Sequence, residues 1–417
     1  MKLPRWGWLC CMLSSHALAG SLNTDLLYIG DRSHVRAGAW NPDNFLRVPS
    51  TQDEWVIVIE GQESWSEVHS GLSVHGRARL SRRDIPHQKS TDEAKLQELS
   101  IDYAYRPDWL LSIGKTQLHW DNSSSSQPLG FFQQQLDVAD LKDNKSLSTG
   151  VPLLALTHIL PSGSNATLVY AIASNNEQSP EQWAFKWGWE LGDWSPSLIV
   201  QKPAGQQAGW GGQVSWALSD YQILYGSIFT RQGTRLLRHN LLGADHLTLG
   251  WQNPMQASRL HDARYYTRGL VGTSVQWDGW TFLLEVSHDE RKLSTRDWWQ
   301  LNDLVSFHQS LIPQGGDVAA LALLNLAYDN QQLSAQGARQ NYAYFYVAYG
   351  FEQLSLRLFA KTDPEFLSSL HGVSAAWQVH ETFEASVSFV RFSGQPKQEF
   401  SVLPLQHNIE LVLSYRF

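Results

Sequence analysis

The chain offers few constellations of residues that could do chemistry. Three aspartate–imidazole neighbours occur, Asp245-His246, His261-Asp262 and His288-Asp289. An acid beside an imidazole can relay a proton. Adjacent residues on a strand point to opposite faces, however, so these pairs converge only across a bulge and read as loop residues. The patterns Asp-x-His and Asp-x-Asp, which would set two such groups on one strand face, are absent. Asn122-Ser123-Ser124-Ser125-Ser126 supplies hydroxyls, but a polar run of this kind is first of all a loop. The histidines are scattered and no HExxH motif gathers them, so no metal centre is expected. Cys10 and Cys11 are the only cysteines. The sequence therefore predicts a protein without catalytic residues, metal or cofactor.

What the chain does carry is charge at spacing two. Ser73, His75, Arg77 and Arg79 alternate with Leu72, Val74, Ala78 and Leu80. Glu60, Gln62, Glu98 and Asp102 occupy the same kind of position on neighbouring stretches, and so do Lys186, Glu190, Glu285, Arg357, Lys361, Glu384 and Glu410 further along. A charge flanked on both sides by apolar residues lies on the polar face of a half-buried strand.

The elements that must position these charges are therefore strands. Trp183, Phe185, Trp187 and Trp189 alternate with Ala184, Lys186, Gly188 and Glu190. Trp280, Phe282, Leu284 and Val286 alternate with Thr281, Leu283, Glu285 and Ser287. In the closing segment Ile409, Leu411, Leu413, Tyr415 and Phe417 share one face, with Asn408, Glu410, Val412, Ser414 and Arg416 on the other. Its length matches the roughly 9–11 residues with which a tilted strand crosses a bilayer. The pattern predicts about 18 strands, or 16 if the weak first strand near 31–38 and one other fail. In that first strand Val35 and Ala37 would face lipid, and Arg32, His34 and Arg36 the interior. Residues 21–50 offer an alternative, a short inserted hatch.

Connections alternate in length. Arg106-Asp108, Pro161-Ser164, Gly192-Asp193, Ser219-Asp220, Asp278-Gly279, Glu352 and His380-Glu381 mark tight turns. Segments 81–95, 119–149, 231–266, 291–340 and 393–405 are long and polar. Short turns on one side and long loops on the other are the signature of a transmembrane, antiparallel, up-and-down β-barrel, an all-β fold with long extracellular loops. Residues 317–327 break the alternation with helix formers, which predicts a short helix with Asp317 as its N-cap. His246–Trp251 reads as a strand extension or a loop hairpin.

Composition agrees. The 417 residues include 19 Trp, 14 Tyr and 16 Phe, without a long apolar run after the N-terminus. Only alternate residues of a barrel strand meet lipid, and aromatic girdles mark the interfaces. Met1 to Arg5 is positive, Trp6 to Leu13 apolar, and Ala17-Leu18-Ala19 a small-x-small site, so residues 1–19 read as a secretory signal peptide and 20–417 as one barrel domain. The formal charge is −8, and loss of Lys2 and Arg5 takes it to about −10, which disfavours a nucleic-acid partner.

Two stretches carry a resemblance. The aromatic C-terminal strand, with Leu411, Leu413, Tyr415 and Phe417 in phase, resembles the signal that the barrel-assembly machinery reads in Gram-negative outer-membrane proteins. The hairpin Leu99–Tyr103 with Leu111-Ser112-Ile113-Gly114-Lys115-Thr116-Gln117-Leu118-His119-Trp120 resembles that of porin-like barrels, including the alginate-export type and several uncharacterised proteobacterial barrels. Thr116 separates Lys115 from Gln117, a departure from the commoner adjacent pair, so alginate is not carried over. The resemblance implies a bacterial outer-membrane location, with outer-membrane lipid, lipopolysaccharide and the assembly machinery as partners.

The expected function is a porin-like channel for polar solutes or oligosaccharides. The alternatives are a dedicated export or hydrophobe-uptake barrel and, third, a non-channel binding barrel. The expected pore-lining residues are Arg36, His75, Arg77, Arg79, Asp102, Lys186, Glu285, Arg357, Lys361, Glu384 and Glu410. Segment 119–149 carries Asp121, Asp137, Asp140 and Asp143 against Lys142 and Lys145. Folded inward, it would face the basic arc across the lumen, as in the constriction of general porins. The simpler arrangement pairs the arginines with Glu98 and Asp102 and leaves the loop outside.

Overall fold

A computed structural model describes residues 21–36, 38–65, 71–132, 149–173, 180–249, 252–256, 262–333 and 337–417. Eighteen antiparallel strands form one sheet. They are β1 Ser21–Val35, β2 Thr51–Trp65, β3 Leu72–Asp84, β4 Thr91–Arg106, β5 Trp109–Thr116 and β6 Val151–Ile159. Next come β7 Asn165–Ala171, β8 Gln182–Gly188, β9 Trp194–Pro203, β10 Gly209–Ser219, β11 Gln222–Gln232 and β12 Tyr265–Trp277. The last six are β13 Trp280–Asp289, β14 Asn341–Phe351, β15 Leu354–Asp363, β16 Ser368–His380, β17 Phe383–Ser393 and β18 Leu405–Arg416. Each strand pairs with its sequence neighbour, and β1 pairs with β18 from Asp25↔Arg416 upward, which closes the barrel. The number and order of strands are those that the alternation predicts.

The tight turns all fall at one rim, here the turn end, and the long connections at the opposite loop end. Lumen and exterior follow from the pleat. Leu99, Ile101, Tyr103, Leu284, Val286, Leu356 and Leu358 are exposed, while the alternate positions Ser100, Glu285, Phe359 and Lys361 are buried. Large apolar residues thus face outward and polar or tightly packed ones face inward, the inverse of a soluble sandwich.

The first strand departs from expectation. It spans Ser21–Val35, so residues 21–35 are barrel wall and not a hatch. Pairing with β2 sets Leu27↔Val56 and Arg32↔Thr51, which turns Leu27, Ile29 and Asp31 inward and Arg32 and His34 outward. The expected phase was inverted because Leu26-Leu27-Tyr28-Ile29 is apolar on both faces. Its inward members pack with Val56, Val58 and Val412, so alternation vanishes there. Ala37 lies outside the described residues, as do residues 1–19, the expected signal peptide, and five charges of the 119–149 connection, Asp137, Asp140, Lys142, Asp143 and Lys145.

The loop end is built up into a cap. The 290–340 connection holds two helices, α1 Thr295–Leu311 and α2 Gly316–Asn330, where one was expected. Ser294 caps α1, accepting from the Asp297 amide while the Asp297 carboxylate accepts from the Ser294 amide. The N-cap of α2 is Gly315, which has φ 71° and suits glycine, and Asp317 sits in the first turn instead. Trp40, Trp298, Leu301, Val305 and Leu326 form the cap core, drawn from the 36–50 connection and both helices. A third helix, α3 Glu399–Val402, lowers Phe400 among the inward Tyr342, Phe359, Leu370 and Phe392. Residues 246–249 are irregular, 250 and 251 lie outside the described residues, and a short antiparallel ladder of Arg238–His239 with Met255–Gln256 closes the connection around them as a loop hairpin.

Candidate functional site: the lumen and its inward loop

Residues 118–132, which follow β5, enter the barrel. Leu118 donates from its amide to Phe132 O at 3.3 Å, closing the base of an inward loop over 118–132. Trp120, Leu129 and Phe132 pack on Leu153, Ala155, Val169, Ala171, Ala184 and Ile199, the inward positions of β6 to β9. Those positions are small or aliphatic, which leaves room for the loop. Burying one large apolar side chain contributes roughly 1.5–3 kcal/mol, so these three hold the base firmly.

The tip is held by charge. Glu285, midway along β13, accepts from the Ser124 amide at 2.8 Å, the Ser125 amide at 2.7 Å and the Ser125 hydroxyl. It also accepts from the Tyr225 hydroxyl on β11 at 2.6 Å. The loop therefore runs along the inward face of the wall from β6 to β11 and is anchored on β13. Asp121 shapes its turn, accepting from Ser123 Oγ at 2.6 Å, the Leu129 amide at 2.9 Å and Ser227 Oγ at 3.2 Å. Gly272 is what lets Tyr225 reach Glu285. A Cβ there would lie 2.8 Å from the Tyr225 ring and 2.9 Å from Glu285 Cγ.

Opposite this clasp, β2, β3 and β4 carry an interleaved ladder. His75 and Arg77 both lie between Glu60, at 3.2 and 3.6 Å, and Glu98, at 3.4 and 3.8 Å. Arg79 pairs with Glu54 at 2.6 Å, and Arg83 approaches the same carboxylate at 3.7 Å. Gln117, at the foot of the inward loop, donates to Glu98 at 2.6 Å. The arc is thus a chain of alternating ion pairs rather than a bare basic stripe, and Glu54 and Glu60 join the expected partner Glu98.

The remaining expected residues separate by environment. Asp102, Lys186, Arg357 and Glu384 project inward, and Arg357 and Glu384 are solvent-exposed toward the turn end. Lys361 is buried, its amine 4.5 Å from the Tyr342 ring centre, and Glu410 is buried facing Asp31. Arg36 lies past the end of β1 and donates to Ser401 O and, at 3.4 Å, to Phe392 O. It ties the rim to the 394–404 connection and is not part of the strand wall, because β1 ends one residue earlier. Leu411, Leu413, Tyr415 and Phe417 share the outward face of β18 and the residue beyond it.

Sequence reasoning missed a second cationic group. Arg268 on β12 projects inward, its guanidinium 5.2 Å from both the Phe131 and Phe229 ring centres. Arg231 lies beside it on β11 and donates to Gln201 Oε1 at 3.3 Å. Placing 231–266 wholly in a loop hid Arg231. The parity Tyr266, Arg268, Leu270 was the available signal for Arg268.

The cap is fastened by a buried polar cluster. Asp329 of α2 lies 3.2 Å from His239 Nε2 and 2.7 Å from His308 Nδ1 of α1, and all three side chains are inaccessible. His308 Nε2 lies 3.3 Å from His246 O. Asn325 Oδ1 accepts from the Thr248 amide and hydroxyl, and Arg238 meets Asp297 at 2.7 Å. Burial, with the neighbouring His308, pushes His239 down to about 4, and burial raises Asp329 against the pull of His308. A histidine depressed in the closed cap stays neutral there while the opened segment takes up its proton near pH 6.5. Closure is therefore weakened as pH falls from about 6.5 to 4, by up to about 3 kcal/mol, with Asp329 acting in the opposite sense. The protection factors over 236–249, corrected for intrinsic exchange at each pH, are expected to be lower at pH 4.5 than at pH 7.5, and His239→Phe to remove most of that dependence. Equal protection at both pH values would contradict the coupling.

No protein-family model matches the chain, and no curated protein matches it in sequence. Solved structures match in fold. Pseudomonas aeruginosa OccK5 (OpdH) aligns with TM-score 0.53 at 9% identity, over 95% of this chain and 98% of that one. Pseudomonas aeruginosa OccK11 (OpdR) gives 0.52 at 10% identity over 96% of each chain, and Pseudomonas aeruginosa OpdL 0.52 at 10% over 96% and 99%. The fold is that of a porin-like outer-membrane β-barrel.

Proposed function

We propose that this barrel is an outer-membrane channel for polar solutes, with the loop end outside the cell and the turn end in the periplasm. The observation that carries the reading is the inward loop clasped by Glu285. An 18-strand ring is too wide for wall side chains alone to fill, and a loop fixed inside it narrows the path without apolar closure. The path it leaves runs past ion pairs on β2 to β4 and past Arg357 and Glu384, groups that favour hydrated solutes over hydrophobes. Pore lining by His75, Arg77, Arg79, Asp102, Arg357 and Glu384 belongs to this proposal. So do transport without catalysis and an assembly role for the outward Leu411, Leu413, Tyr415 and Phe417. Liposomes carrying the refolded protein are expected to swell in isotonic small sugars and amino acids. Protein-free rates with folded protein present would exclude the reading and favour a binding barrel.

A further inference from the structure

The outward face carries a lateral row of nitrogen-bearing side chains that a pore does not need. Strand register aligns His371 of β16 with Arg391 of β17, Arg391 with His407 of β18, and His407 with His34 of β1. Four consecutive strands at about 4.8 Å spacing make a row about 14 Å wide. His371, Arg391 and His34 are exposed and His407 half-buried. The His34 and His407 rings stack 5.1 Å apart at 5°, which fixes both edges. Just beyond the row, toward the loop end, Ser369 and Ser393 also point outward, 3.0 Å apart, and Ser369 Oγ lies 2.7 Å from His371 Nε2.

The row sits at a defined depth. One outward step toward the turn end from His371, Arg391 and His407 come Val373, Phe389 and Ile409, all exposed and apolar. From His407 to the aromatic end at Phe417 the tilted strand climbs about 25 Å, the height of an outer-membrane apolar band. The row thus lies where that band meets the headgroups of the leaflet at the loop end. A cation buried in lipid would be costly, but one at this level meets anionic groups. Outward cations elsewhere satisfy themselves: Lys115 donates to Leu96 O at 2.8 Å and Lys202 to Gln206 O at 2.5 Å. Arg32, which pairs with Ile409 one outward step toward the turn end from the row, is held by Asp53 at 3.0 Å. Arg391 makes no ion pair among the described residues.

We propose that this row binds the phosphate of an anionic glycolipid headgroup in the outer leaflet, its acyl chains lying on Val373, Phe389 and Ile409. Arg391 offers a fork of N–H donors suited to phosphate. The imidazoles donate one N–H when neutral and two when protonated. The site rests on membrane placement of the barrel, and not on conduction through it.

Native mass spectrometry of the refolded full-length protein with lipid A, in its diphosphorylated and its phosphate-free forms, tests the proposal. The wild type is expected to retain diphosphorylated lipid A and to hold the phosphate-free form at least roughly tenfold more weakly, as charge-assisted phosphate bonds require. Arg391→Gln with His407→Gln is expected to abolish that preference, while Lys202→Gln keeps it. Equal retention of both lipids by the wild type would overturn the site without needing any variant to fold. A folded double variant with the wild-type preference would overturn it too. Unchanged single-channel conductance in the double variant is expected, so loss of this site and loss of the channel reading are told apart.

Discussion

Replacing Glu285 with alanine is expected to free the tip of the inward loop while its base stays docked. The carboxylate accepts from two backbone amides, a serine hydroxyl and the Tyr225 hydroxyl in a buried setting. Removing it leaves those donors without their acceptor, and truncating one side of a buried charged cluster costs about 3–5 kcal/mol. The base is held independently by Trp120, Leu129 and Phe132, whose combined apolar burial is of similar size. The tip should therefore detach and the loop remain inside. Hydrogen exchange over 122–127 is expected to rise sharply, and single-channel current to increase with added flicker as the constriction loses its far anchor. Gly272→Ala should act in the same direction by pushing Tyr225 and Glu285 apart. Unchanged protection and unchanged current in a folded Glu285→Ala protein would show that the clasp does not set the width of the path.

The second large effect belongs to the ladder. Arg77→Gln combined with Arg79→Gln removes two positive charges from beside Glu54, Glu60 and Glu98, while His75 stays against Glu60 and Glu98 and Arg83 against Glu54. The wall then turns acidic, and the zero-current potential in a salt gradient is expected to move toward cation preference. Screening lengths fall from about 10 Å at 0.1 M salt to 3 Å at 1 M, so the shift should shrink in concentrated salt. Glu54 is nearly inaccessible, and the loss of its best partner is expected to lower thermal stability as well. If the folded, conducting variant keeps its selectivity at low salt, the ladder does not border the conducting path.

Most of the wall was legible in the sequence because an apolar outer face and a polar inner face impose period two directly. Glu285 between Leu284 and Val286 could be placed inward from three residues alone. Where the inside is also apolar the signal fails, and Leu26 to Ile29 inverted the phase of β1 for that reason. The site was less legible than the wall. The serine run 123–126 carries nothing local that distinguishes a solvent loop from one bonded to a carboxylate on a distant strand. Glu285, Tyr225 and Gly272 come together through the register of three consecutive strands, β11 to β13, which the long connection after β11 hides in the sequence. Ser294-x-x-Asp297 was an unread signal for the start of α1, and the polar residues of that helix hid its periodicity. Its apolar partners, Trp40 and Leu326, come from other connections.

The central claim is that a continuous polar path runs past the clasped loop. Planar-bilayer recording of the refolded wild-type protein tests it most directly. Discrete, ohmic single-channel steps at neutral pH are expected, blocked or slowed by polar solutes added on one side. A membrane that stays at baseline conductance while labelled, folded protein is inserted in it would contradict the account.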